Sequence, residues 1–159
     1  MKRLFKRRRQ EGKTDYRKRL LLLKGNKARL VVRKSNLYLY LQIVESSHAQ
    51  DKVVASFTTK ELFDYKWPEN KSGSLKSISA GYLAGYALGK KVAGKMKGTI
   101  ILDSGLIPNT KGSRLYGVVK GIADAGVKIS FSEEVVPPKE KIEAYDFFKT
   151  VKGEIEKIK

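Results

Sequence analysis

The 159-residue chain has no cysteine, one histidine, one tryptophan, two methionines and four prolines. Without cysteine there is no disulfide framework, no thiolate metal site and no Cys nucleophile, and the default home of such a chain is a reducing compartment, the cytosol. A Ser-His-Asp arrangement or a His-based metal site would rest on His48 alone, which lies in a polar stretch and reads as a surface histidine. Long hydrophobic runs are missing too. The weakly polar stretch 78–89 is rich in Gly and Ala and stops at Lys90-Lys91, short of the roughly 20 residues a spanning helix needs. The start is basic like an export signal, but Gln10-Glu11-Gly12-Lys13 stands where an apolar segment would follow, so neither export nor a membrane partner is expected.

Acidic residues are scarce where basic ones crowd. Within the first 34 positions, from Lys2 and Arg3 to Arg33 and Lys34, fifteen Lys or Arg face only Glu11 and Asp15, so this stretch carries +13 of the chain's +18. Charge concentrated in this way repels itself in a free monomer and makes physical sense when a polyanion neutralises it, with RNA or DNA the leading candidate. A solvated tail and a nuclear-localisation-like basic cluster remain open as alternatives. A hydrophobic content of 41%, with eight Tyr and six Phe, suffices for one core.

Residues 1–13 show no hydrophobic periodicity and read as an extended basic arm. Thr14 is placed to cap a helix that Gly25 stops, with Tyr16, Leu20 and Leu23 facing protein and Arg17 and Lys24 on a basic flank. Three strands follow at 29–34, 37–45 and 52–58, separated by Ser35-Asn36 and a polar loop at 46–51, as an antiparallel meander. In the second strand Leu37, Leu39, Leu41 and Ile43 alternate with Tyr38, Tyr40, Gln42 and Val44; in the first, Leu30 and Val32 alternate with Arg29, Val31 and Arg33. One sheet face is therefore core. The other sets Tyr38 and Tyr40 beside Arg29 and Arg33, a combination of stacking platforms and guanidinium groups that suits RNA, or else lies under a helix.

Further along, residues 60–65 read as a short helix, 67–74 as a polar loop and 75–95 as a long helix. Gly81, Gly85 and Gly89 recur every four residues in that helix, which implies close backbone approach, expected against the sheet. A short buried strand at 99–102, a loop at 106–112, a helix at 113–125, a last strand at 127–131 and a closing helix at 139–151 complete the pattern. The charge-balanced tail reads as a surface helix or protein contact. The stretch from Gly105 to Arg114 follows a strand and opens a helix, where backbone N–H groups and the helix dipole favour an anion. Its glycine spacing and Ser113-Arg114 ending are not those of a nucleotide-binding P-loop, so Lys111, Ser113 and Arg114 are candidates for an RNA phosphate, or the segment is a plain capped turn. Catalysis finds little support: the strand order is compatible with a ribonuclease-H-like nuclease, but only Asp103 and Glu45 lie near strand ends.

Several segments in consistent order carry a resemblance: Arg7 to Arg19, Arg29 to Asn36, Asp103-Ser104-Gly105-Leu106, Thr110-Lys111-Gly112-Ser113-Arg114, and Lys120 to Gly126. Together, from about Arg7 to Val136, they resemble the archaeal and eukaryotic branch of the large-subunit ribosomal protein family L-eighteen. The resemblance implies a structural, non-catalytic protein without cofactor, metal or small-molecule substrate, which binds 5S rRNA and helps attach it to 23S rRNA in the central protuberance beside neighbouring large-subunit proteins. A divergent nuclease and a general nucleic-acid-packing protein are the alternatives. The chain departs from the family in its Met1-to-Phe5 start and in Ile129-Ser130, where many relatives have a proline.

The fold class expected is α/β (α+β): a three-stranded antiparallel meander extended by one further strand and packed with helices. The divisions are a basic extended arm at 1–13, a globular domain at 14–136 and a C-terminal helical extension at 137–159. The expected RNA contacts begin with Arg3, Lys6, Arg7, Arg8, Arg9 and Lys13 in the arm, then Thr14, Tyr16, Arg17 and Arg19 in the first helix. They continue with Arg29, Arg33, Lys34, Ser35, Asn36, Tyr38 and Tyr40 in the sheet, and Thr110, Lys111, Ser113 and Arg114 in the loop.

Overall fold

The computed structural model describes residues 5–47, 50–96 and 98–157. Arg3 and His48 lie outside the described residues. Strand β1 (Arg29–Lys34) pairs antiparallel with β2 (Leu39–Ser47), and β2 pairs antiparallel with β3 (Gln50–Thr58). Strand β4 (Ile101–Asp103) adds in parallel to β1, giving the order β3-β2-β1-β4. The meander with one further strand is thus the observed fold. The expected strand at 127–131 is reduced to one parallel bridge, Ile100 to Ile129.

The period-2 alternation acts as the sequence suggests, with Leu30, Val32, Leu39, Leu41, Ile43 and Phe57 buried on one face. A register shift between Ile43 and Val44 marks a bulge and turns Val44 inward, so the simple alternation ends there. Leu37 lies outside the strand and is exposed. Helix α3 (Ile78–Val92) covers the apolar face, its N-terminus capped by the Ser77 side chain, which accepts from the Ala80 N–H at 3.2 Å.

The close approach that the α3 glycines imply is made to helix α4 (Arg114–Asp124), not mainly to the sheet. A Cβ on Gly85 would collide with the Val118 carbonyl, and one on Gly89 would lie 2.5 Å from the Ala125 Cβ. Helix α4 reciprocates: a Cβ on Gly121 would collide with the Tyr82 carbonyl, and one on Gly117 would lie 3.1 Å from the Ile78 carbonyl. Reading α3 alone exposes the bare stripe but not the second one, 36 residues later in α4, that it meets.

The C-terminal segment also differs from expectation. The single closing helix is two, α5 (Lys139–Ile142) and α6 (Phe148–Glu156), and Ile142, Phe148, Val151 and Ile155 are buried in the same hydrophobic core as the sheet. The break between them lets Tyr145 and Phe147 stack 5.0 Å apart and meet the Trp67 ring edge-on at 5.9 and 4.9 Å. That aromatic contact buries apolar area on the scale of a further core residue. The tail is part of the folded body rather than a free surface helix.

The N-terminus departs as well. Residues 7–10 are not extended but form one helical turn, α1 (Arg7–Gln10), tied by Arg7 to Glu11 at 3.2 Å. Helix α2 (Tyr16–Lys24) follows, and its cap is Asp15, whose Oδ1 accepts from the Arg17 and Lys18 N–H groups. Thr14 instead accepts from Arg8 Nε at 2.9 Å. Asp15 combines a cap acceptor with a negative charge at the positive end of the helix dipole, which a threonine cannot.

Candidate nucleic-acid interface

Helix α2 lies over the sheet face opposite α3, and none of its residues is buried. Polar bonds hold it there: Lys18 Nζ donates to Ser104 Oγ at 3.0 Å and to the Gly105 carbonyl at 3.2 Å, while Arg19 reaches Asp51 at 3.4 Å. Leu22 and Leu23 are half-buried beneath it, whereas Leu20, expected to face protein, is 54% exposed and Leu21 63%. Between α2 and the sheet runs a groove of about 670 Å³, lined by Arg8, Lys13, Thr14, Tyr16, Arg19, Arg33, Lys34 and residues 103–108.

Two smaller grooves continue this one. Arg9 and Arg17 line the first, which shares Thr14, Asp15, Tyr16 and Leu106 with the main groove. Thr110, Ser113 and Arg114 line the second, which shares Lys34, Ile107 and Pro108. Arm, α2, the end of β1 and the start of α4 therefore form one continuous cationic surface, although 80 residues separate Lys34 from Arg114. Arg17, Lys34 and Arg114 have no carboxylate partner among the described residues. Lys6 stands over the Tyr16 ring at 4.6 Å, Arg9 over Phe5 at 4.7 Å, and Lys111 is only loosely paired, 3.9 Å from Glu134.

Other candidates are placed differently. Arg29 is 2% exposed and does not stand on the open face. Its Nη1 donates to Asp103 Oδ2 at 3.2 Å and its Nη2 to Asp51 Oδ1 at 2.7 Å and Ser46 Oγ at 2.8 Å. It is a structural cation that α2 and its neighbours roof over, which strand alternation alone does not reveal. Partial desolvation pushes the Asp51 carboxyl up, but hydrogen bonds from Ser46 and Arg29 and the charges of Arg29 and Arg19 outweigh it and hold the group below its ordinary value of 3.8.

Tyr38 and Tyr40 do not join the cationic surface. They line a separate groove with Thr58, Lys60, Glu61, Phe63 and Asp64, whose charges are mixed. Ser35 builds the turn before β2, its Oγ accepting from the Tyr38 N–H at 3.0 Å, and the Asn36 carbonyl accepts from Lys76 at 2.6 Å. In the loop before α4, the Gly112 N–H is spent on the Val135 carbonyl and the Ser113 N–H on the Thr110 carbonyl, so these two backbone donors do not cradle an anion. The loop contributes side chains instead.

Lys18 and Asp51 are not among the residues that sequence reading singles out for the site, and Asp103 is singled out there only as a strand-end carboxylate and as part of a family motif. The last two are acidic in a cationic setting, and only pairing across β1, β3 and β4 reveals that they organise it. Asp103, the carboxylate that would anchor a nuclease site, is engaged by Arg29, Arg33 and the Gly105 N–H.

These features define a class: a small α/β domain with a dry helical back and one grooved cationic face whose chemistry suits a polyanion. The family model for "Ribosomal large subunit proteins 60S L5, and 50S L18" matches residues 2–99. The chain is 46% identical over 138 residues to the large ribosomal subunit protein uL18 of Korarchaeum cryptofilum, covering 86% of this chain and 68% of that protein. The uL18 proteins of Aeropyrum pernix and Methanosphaera stadtmanae are 40% and 39% identical, over 86% and 87% of this chain and 62% and 69% of their own lengths. The chain belongs to this L5 and L18 family of large-subunit ribosomal proteins, which are structural and not enzymatic. It spans about two thirds of the length of these relatives. No described helix is long and apolar enough to cross a membrane.

Proposed function

We propose that the chain binds 5S rRNA through its grooved cationic face and helps attach it to 23S rRNA in the central protuberance of the cytoplasmic ribosome, beside neighbouring large-subunit proteins. One observation carries the reading: the joined grooves gather Arg8, Arg9, Lys13, Arg17, Arg19, Lys34 and Arg114 on one surface, with Tyr16 among them as a stacking platform. Lys and Arg at this density neutralise phosphates and release counterions, and the exposed arm cations keep the freedom to follow an RNA backbone. Arg3 extends the same charge run in sequence. Tyr38 and Tyr40, in the mixed-charge groove, serve as a second contact surface, open to RNA bases or a neighbouring protein.

Neutralisation of about eight phosphates predicts log K falling with log salt at a slope of roughly −7 on a duplex-like treatment. Replacing Arg7, Arg8 and Arg9 together by Ala weakens binding to 5S rRNA and flattens that slope by up to about 2.7. The measurement is a filter-binding or anisotropy titration across a salt series. An unchanged slope removes the arm from the interface, and equal competition by duplex DNA favours the general packing reading.

A further inference from the structure

We propose that Asp103 is the positioning residue of the RNA-binding face, and that it holds the Arg33 guanidinium with one two-donor edge turned out as a fixed fork for a single RNA phosphate. This rests on the function proposed above and adds to it a specific donor and the residue that aims it. Arg33 is a half-exposed guanidinium with five N–H donors. Nη1 donates to the Val32 carbonyl at 2.8 Å and the Asp103 carbonyl at 2.9 Å, and Nη2 donates to Asp103 Oδ1 at 3.1 Å. These bonds use both protons of Nη1 and one of Nη2. The Nε proton and the second Nη2 proton remain, and they lie on the same edge of the planar group.

No hydrogen bond among the described residues uses that edge, and the groove that Arg33 lines is rimmed by Lys34, Arg8 and Lys13, an environment that draws in an anion. Paired parallel N–H groups match two oxygens of one phosphodiester, a geometry that an ammonium cannot reproduce. The guanidinium is also clamped from its face. A Cβ built on Gly105 would lie 3.0 Å from Arg33 Cζ and Nη1, so the bare glycine, at φ +58°, rests against the plane. Asp103 makes that glycine's conformation as well, accepting the Gly105 N–H at 2.9 Å.

The carboxylate is itself anchored, because its other oxygen accepts from buried Arg29, whose second arm is fixed by Asp51 and Ser46. A negative charge inside a phosphate-facing groove opposes binding unless it is neutralised. Here two guanidiniums neutralise it, and the return is orientation: one arginine enters the encounter with a single geometry rather than many rotamers.

The test titrates the full chain against folded 5S rRNA over a salt series with Arg33→Lys, Asp103→Asn and the double variant. Arg33→Lys keeps the charge and loses the fork, so affinity falls about tenfold, equivalent to ~1.4 kcal/mol, while the salt slope stays at its original value. Asp103→Asn weakens binding to a similar degree, and in the double variant the two losses do not add, because Asp103 acts through Arg33. A ¹⁵N spectrum of the free protein gives a readout independent of RNA: slow rotation about Nε–Cζ of Arg33, freed in Asp103→Asn. Where Asp103→Asn fails to fold, Arg33→Lys tests the fork and the hindered Nε–Cζ rotation of Arg33 in the parent protein tests its positioning. Wild-type affinity in Arg33→Lys, additive losses, or an Arg33 guanidinium rotating freely in the parent protein would each overturn the assignment. Failure of the unsubstituted chain to bind 5S rRNA is a different result, and it overturns the parent reading.

Discussion

The two sides of the sheet are held by opposite physics. Behind it, α3 and α4 meet backbone to backbone through glycines, with Leu83, Leu88, Val118 and Ile122 fully buried around the seam. In front of it, α2 buries none of its residues and is fastened through Lys18, Arg19 and the Asp103 loop. The back has little room to move, since a Cβ added at Gly85 or Gly121 meets main chain and one at Gly89 meets the Ala125 Cβ. The front exchanges bonds between side chains that water or phosphate can replace. Apart from the Arg29, Arg33 and Asp103 network, rigidity and charge are kept apart, so the outer cations of this face can adapt to a partner without loosening the core.

The largest effect expected from breaking this contrast comes from the back. Gly121→Leu forces a side chain towards the Tyr82 carbonyl and to within 2.9 Å of the Tyr86 amide nitrogen. It is expected to cost about 3 kcal/mol of stability in a urea melt. On the front, Asp15→Ala removes the α2 cap and is expected to cost about 1 kcal/mol. That loss is local: amide exchange at Arg17 and Lys18 accelerates while exchange in α3 is unchanged.

A smaller effect concerns acid. Because the folded Asp51 carboxyl titrates below its ordinary value, its contribution is fully present above about pH 4 and is lost as the pH falls through the depressed folded value. Thermal melts between pH 5 and pH 2 should show a shallower acid slope for Asp51→Asn than for the parent chain. The smallest change is expected at Leu20 and Leu21, which are more than half exposed. Replacing both by Ser is expected to alter stability by no more than about 0.5 kcal/mol, whereas a loss of several kcal/mol in the same urea melt would mean that α2 is packed more tightly than its polar fastening implies.

Much of the fold was legible because period and punctuation are local. The first strand ends at the expected residues, the expected helix at 113–125 is α4 with Gly126 at φ +95° as its stop, and the alternation in β2 separates core from surface up to the bulge. The features that escaped are non-local. The glycine stripe could be seen in α3, but its partner is another helix; the break between α5 and α6 depends on Trp67, some 80 residues upstream. In the candidate site, the basic stretch and the Thr110 to Arg114 segment were readable as charge. The burial of Arg29 and the separation of Tyr40 from the groove were not, because alternation says which face a side chain takes and not what roofs that face.

By itself the sequence determined the three-stranded meander and the two central helices, the concentration of positive charge at one end and the family that the ordered motifs define, because each depends on residue type and short-range spacing. Only the tertiary structure decided which cations are free and which are spent. Pairing strands remote in sequence brings Asp51 and Asp103 against Arg29, and the energy of a charge depends on neighbours that no local pattern names.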